Sequence, residues 1–120
     1  DIYRAYNLIL SKPSSSIVFS ASLYSHPIER ALRKGKNNIT ELIFPEHSET
    51  RTQDLKPSYY DAGQFYLCKS SFIREAKSIL KCNSKFVVIP KSKAIDIDTS
   101  DDFILAESLL KRKINYEKKN

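Results

Sequence analysis

The sequence predicts an α/β fold on three observations. Stretches of helical and of strand periodicity alternate along one chain. The candidate strands at 17–21 and 86–89 are short apolar runs, and the first, rich in β formers, has the pattern of a buried strand. The chain has 120 residues, 41% of them hydrophobic, enough for one domain with a core of its own.

The first element is a helix. Ile2, Ala5, Tyr6 and Ile9 fall at helical spacing, and Asp1 is placed to cap the start. Pro13 and the serines at 14–16 break that pattern before the Ile17-Val18-Phe19-Ser20-Ala21 strand. An irregular link ends at His26-Pro27. Arg30 to Phe44 reads as a hairpin that turns at Gly35-Lys36-Asn37-Asn38, because Gly and Asn tolerate left-handed backbone. Its returning arm carries Ile39, Leu42, Ile43 and Phe44. The polar stretch 46–58 reads as a loop or extended arm.

Ala62-Gly63-Gln64-Phe65-Tyr66-Leu67 is the next strand. Ser70 or Ser71 then caps a helix carrying Phe72, Ile73, Ala76, Ile79 and Leu80. The Phe86-Val87-Val88-Ile89 strand stops at Pro90. Ala94 to Thr99 reads as a short buried strand, followed by a helix from Ser100 to Arg112. Phe103, Ala106, Leu109 and Leu110 give that helix a stripe expected to be buried. These elements are too few to cover both faces of a sheet.

Lys and Arg number 20 against 14 Asp and Glu, a net charge of +6 that suits phosphate-bearing or acidic ligands. The densest basic run, Lys111-Arg112-Lys113 with Lys118-Lys119, fits a solvated helix end. Tyr59, Tyr60, Phe65 and Tyr66 near Arg51 could stack bases. They alternate with core positions, however, and the basic residues are scattered, so a nucleic-acid module is not expected. No apolar run approaches the roughly 20 residues of a membrane span, and no charged-then-apolar leader is visible. Cys68 and Cys82 form no metal-binding spacing, so two thiols in a reducing cytoplasm are expected. The chain holds no Met and opens at Asp1 on a helical pattern, which suggests a C-terminal part of a longer protein.

Two stretches carry chemistry. Asp96 and Asp98 are two apart on the strand expected there, hence on one face and about 6–7 Å apart. Two anions that close repel unless a cation lies between them. Hard divalent cations, Mg²⁺ above all, are held by one or two carboxylates with substrate phosphates completing the shell. The pair therefore hints at phosphoryl or nucleotidyl transfer. A structural alternative stands beside it: Asp98 or Thr99 caps the following helix, with Thr99 and Asp102 spaced as a capping box.

The second stretch runs from Arg51 to Tyr66. Arg51 offers a fork matched to carboxylate or phosphate. Gly63 permits close approach of a ligand to the backbone. Gln64 and Tyr66 share a strand face and offer hydrogen bonds to hydroxyls or amides. A surface Arg, a turn Gly and an aromatic core strand would leave the same trace.

Taken in order, RTQDL, YYDAGQFY, an apolar strand and DIDTSDD with a following AE resemble the C-terminal half of the acylneuraminate cytidylyltransferases. DAGQFY, with SHPIERAL upstream, most resembles the pseudaminic acid branch, whereas sialic acid members more often carry an NGAIY-like strand. The likeness runs from about Asp1 to Lys111. It implies the C-terminal half of a Rossmann-like nucleotide-diphospho-sugar transferase α/β/α sandwich, with a protruding dimerisation hairpin in an arm at about 28–57. The family's Gly-rich CTP-binding loop has no counterpart here, since the chain has only Gly35 and Gly63; the isolated chain is expected to be inactive.

The resemblance further implies a cytoplasmic homodimer that joins CTP to a nonulosonic acid, with no nucleic acid or membrane partner. Asp96 and Asp98 would hold Mg²⁺ and serve catalysis. Arg51 and Gln53 would face the sugar acid, Gln64 and Tyr66 would line its site, and Arg30 would reach the partner subunit's sugar. The rival expectation is a non-catalytic dimerisation or binding fragment.

Overall fold

The computed structural model describes residues 1–11, 17–75 and 82–118. They form a mixed α/β arrangement in the order α1 (Ile2–Ser11), β1 (Ile17–Leu23), β2 (Leu32–Lys34), β3 (Thr40–Leu42), β4 (Tyr59–Cys68), α2 (Ser70–Glu75), β5 (Ser84–Val88) and α3 (Ser100–Glu117). The chain divides into two units, Asp1–Ser22 with Asp61–Asn120, and Leu23–Tyr60.

The first unit is built on a three-stranded sheet in the order β4-β1-β5. β1 and β5 run parallel, with Phe19 opposite Phe86 and Ala21 opposite Val88. Central β1 is buried from Ile17 to Ser22, as its apolar run requires. One sheet face packs against α1: Ala5 and Ile9 meet Val18 and Val87, with Leu8, Phe65 and Leu67 around them. The i, i+4 spacing of Ala5 and Ile9 points both at the sheet, and burying Ile9 contributes about 1.5–3 kcal/mol. Phe19 and Phe86 lie on the other face, their rings 6.1 Å apart. Ile89 N donates to Ala21 O, and Ser22 Oγ donates to Ile89 O, which extends the β1–β5 pairing past the strand end.

The second unit carries the expected hairpin, β2 antiparallel to β3 with Arg33 opposite Glu41. Its turn is made by Asn37 (φ 55°) and Asn38 (φ 62°), while Gly35 stays extended. Short 3₁₀ turns at Pro45–His47 and Thr52–Asp54 punctuate the polar stretch.

Two expectations fail here. Residues 94–98 form an irregular segment rather than a buried strand, and Ile97 is 54% exposed. The Ile-Asp-Ile-Asp alternation imitates a strand, but among the described residues no neighbouring strand supplies a ladder. The stripe on α3 is also uncovered: Phe103 and Leu110 are 59% and 57% exposed, while Ala106 and Leu109 are half-buried. The positions Ala76, Ile79 and Leu80 of the expected second helix lie outside the described residues. Cys68 and Cys82 are half-buried and make no disulfide. Among the described residues no helix is long and apolar enough to cross a membrane.

Candidate functional site

In the first unit the candidate residues gather around β4 and the 94–98 segment. Tyr66 is fixed at both ends. Its ring stacks on Phe19, with centroids 6.1 Å apart and planes at 29°. Its hydroxyl donates to Asp61 Oδ2 at 2.7 Å. That bond, then partial burial and the charges of Asp61 and Asp96, hold the phenol above its ordinary pKa. Tyr66 therefore stays protonated near neutrality, and its proton is committed to Asp61.

Gln64 has a second duty that its place on the strand does not reveal. Its Nε2 donates to Ala62 O (3.2 Å) and to Ile95 O (3.4 Å), so it ties the Asp96-bearing segment to β4. Gln64 also lines a cavity of about 420 Å³ with Asp1, Tyr3, Phe65, Ile89 and Lys93. Lys93 enters that rim paired with Asp1 at 2.9 Å.

Asp96 and Asp98 are exposed, and among the described residues no hydrogen bond or ion pair engages either carboxylate. Asp98 is not the cap of α3. That role falls to Thr99, whose Oγ1 accepts from Asp102 N (3.2 Å) while Asp102 Oδ2 accepts from Thr99 N (2.9 Å) and Thr99 Oγ1 (2.6 Å). The hydroxyl and amide of Thr99 lower the Asp102 pKa. The capping box and the carboxylate pair thus coexist rather than compete. Among the described residues no three His, Cys, Asp or Glu side chains form a metal-binding group. Because residues 94–98 are irregular, the strand alternation from which a shared face for Asp96 and Asp98 is expected does not hold there.

The second unit holds Arg30, Arg51 and Gln53, all exposed. The Arg30 guanidinium donates to the carbonyls of Ser48 (3.0 Å) and Thr50, so it braces a loop of its own unit. Arg51 precedes the Thr52–Asp54 turn, its carbonyl accepting from Asp54 N at 3.0 Å. Gln53 lines a cavity of about 280 Å³ with Tyr24, His26, Leu55 and Pro57.

Sequence reasoning missed Asp61, the partner of the Tyr66 phenol. The signal for it was present: an Asp two residues before a Gly turns its carboxylate back onto the Gly amide, and Asp61 Oδ1 accepts from Gly63 N at 3.0 Å.

No family model matches this chain, but curated relatives do, and they are nucleotidyltransferases that carry cytidylyl groups. Over nearly its whole length the chain is similar in sequence to pseudaminic acid cytidylyltransferases. Two relatives of that name, from Campylobacter jejuni subsp. jejuni serotypes O:23/36 and O:2, are each 36% identical over 114 residues. The match takes in 95% of this chain and 48% of each relative, so the chain spans about half their length. A Helicobacter pylori protein named as both pseudaminic acid cytidylyltransferase and UDP-2,4-diacetamido-2,4,6-trideoxy-beta-L-altropyranose hydrolase is 35% identical over 81 residues, 68% of this chain and 15% of that protein.

Proposed function

We propose that this chain supplies the sugar-binding, metal-binding and dimerisation part of an enzyme that transfers CMP from CTP to pseudaminic acid or a close nonulosonic acid, releasing pyrophosphate. The observation that carries the reading is the 36% identity over nearly the whole chain to proteins of that name. The uncovered apolar stripe of α3 agrees with it, because the other layers of a Rossmann-like sandwich would come from the rest of the enzyme.

Asp96 and Asp98 hold Mg²⁺, which when bound offsets charge building on the phosphate oxygens. Gln64 keeps the segment bearing Asp96 against β4 and leaves its Oε1 for the sugar. Tyr66 accepts a hydrogen bond from the sugar acid. Arg51 meets the sugar carboxylate as a fork, and Gln53 a neighbouring hydroxyl. The unit holding the β2–β3 hairpin serves as the arm of a cytoplasmic homodimer, with Arg30 at its base reaching toward the partner subunit's sugar.

The test is product formation. An enzyme completed with the half that its relatives carry beyond the matched region should convert CTP and pseudaminic acid to CMP-pseudaminic acid and pyrophosphate. Absence of the CMP-sugar with every nonulosonic acid tried would overturn the proposal and leave a non-catalytic module.

A further inference from the structure

Residues five apart on a regular strand point to opposite faces. Asp61 and Tyr66 are five apart on β4, yet their side chains meet at 2.7 Å. The sheet register must therefore change between them, and three observations place the change at Gly63. Its φ is 65°, a left-handed value inside a strand. The inward positions switch parity there: Tyr60 and Ala62 are the inward ones before it, Phe65 and Leu67 after it. Ser20 Oγ accepts from two successive amides, Gln64 N at 3.0 Å and Phe65 N at 3.3 Å. Two successive residues of β4 meeting the single Ser20 of β1 fit a β-bulge, a device that re-aims a side chain.

We propose that Asp61 is a positioning residue for Tyr66, carried onto the same face by the Gly63 bulge, and that it sets Tyr66 as a hydrogen-bond acceptor for a hydroxyl or acylamino N–H of the sugar acid. The carboxylate is fixed on both oxygens, Oδ1 by Gly63 N and Oδ2 by the phenol. The phenol proton is thereby spent inside the protein, and only its lone pairs face outward. A ligand donor is matched there, and a ligand acceptor is repelled. The ring also stacks on Phe19, a second contact that favours this orientation. This inference rests on the proposed place of Tyr66 in the sugar site.

Asp61→Asn is the discriminating change. Its carbonyl can still accept from Gly63 N, which keeps the bulge, while its amide donates to the phenol oxygen and reverses the polarity. In the completed enzyme it should raise KM for the sugar acid about tenfold, the loss of one hydrogen bond, with KM for CTP unchanged. Tyr66→Phe should do the same, and Asp61→Asn in the Tyr66→Phe background should add nothing. A further rise in the double variant would overturn the proposal, because a merely structural role for Asp61 does not depend on Tyr66. A second readout needs no substrate. With carbon-13-labelled tyrosine, the Tyr66 ring resonance, assigned by its loss in Tyr66→Phe, should shift in Asp61→Asn; an unmoved resonance overturns the positioning role. If that resonance shifts but Tyr66→Phe leaves KM for the sugar acid unchanged, the positioning stands and the sugar-site reading of Tyr66 falls.

Discussion

Ser20→Ala tests the architecture beneath the site. Ser20 is wholly buried in β1, and its Oγ accepts from the amides of Gln64 and Phe65 where β4 bulges. Alanine removes the acceptor and keeps the backbone. A buried donor left without a partner costs about 1–3 kcal/mol. Two are orphaned here, but Gln64 is exposed enough for its amide to find water. The expected loss is therefore about 2–3 kcal/mol, most of it from Phe65. Ser22→Ala is the comparator: equally buried, it loses one bond, to Ile89 O at 3.2 Å, and should cost about 1 kcal/mol. Urea unfolding gives both values, with an unchanged denaturant slope if the unfolded state is unaffected. Hydrogen exchange should speed up at the Gln64 and Phe65 amides in Ser20→Ala alone. Equal losses in the two variants, with those amides still protected, would refute the bulge as an Oγ-anchored structure.

Gly63→Ala meets no neighbour within 4 Å, so its cost is the left-handed φ alone, about 1–2 kcal/mol; Gly63→Asn should recover part of it, measured by the same unfolding curves. The capping box gives α3 an acid dependence. The Asp102 pKa is depressed by Thr99, so its stabilisation is complete above the ordinary carboxylate range and is lost as pH falls through the lowered value. Helicity followed by circular dichroism should fall in acid, and Asp102→Asn should blunt that dependence; an identical acid profile in the variant would contradict the cap's role. Deletion of residues 33–41 removes the β2–β3 turn, and in the completed enzyme it should shift sedimentation from dimer to monomer and raise KM for the sugar acid. An unchanged dimer would place the contact elsewhere.

Much of the framework was legible because it depends on local period and turn chemistry. The α1 stripe, the continuous apolar runs of β1 and β5, the hairpin and the Thr99–Asp102 cap all follow from residue spacing. What escaped depends on partners distant in sequence. Ile95, Asp96, Ile97 and Asp98 alternate as a strand does, yet a strand also needs a neighbour to pair with. The pattern on α3 marks which side could be buried and says nothing of what covers Phe103 or Leu110. Strand period 2 alone would set Asp61 and Tyr66 on opposite faces, because it assumes an unbroken register. Only the positive φ of Gly63 and the double contact of Ser20 Oγ reveal the extra residue. The Arg30 guanidinium closes on the carbonyls of Ser48 and Thr50, partners 18 and 20 residues away that local spacing does not announce.

The carboxylates of Asp96 and Asp98 are exposed, and no hydrogen bond or ion pair among the described residues engages either. Because neither carboxylate supports the fold, Asp96→Asn and Asp98→Asn should leave the urea midpoint of the completed enzyme unchanged. Each should lower Mg²⁺-dependent formation of the CMP-sugar roughly a hundredfold or more, as expected when a metal ligand is lost. Synthesis at the unaltered rate and Mg²⁺ requirement in either variant would contradict the assignment of that residue, and in both it would remove the metal site from this chain.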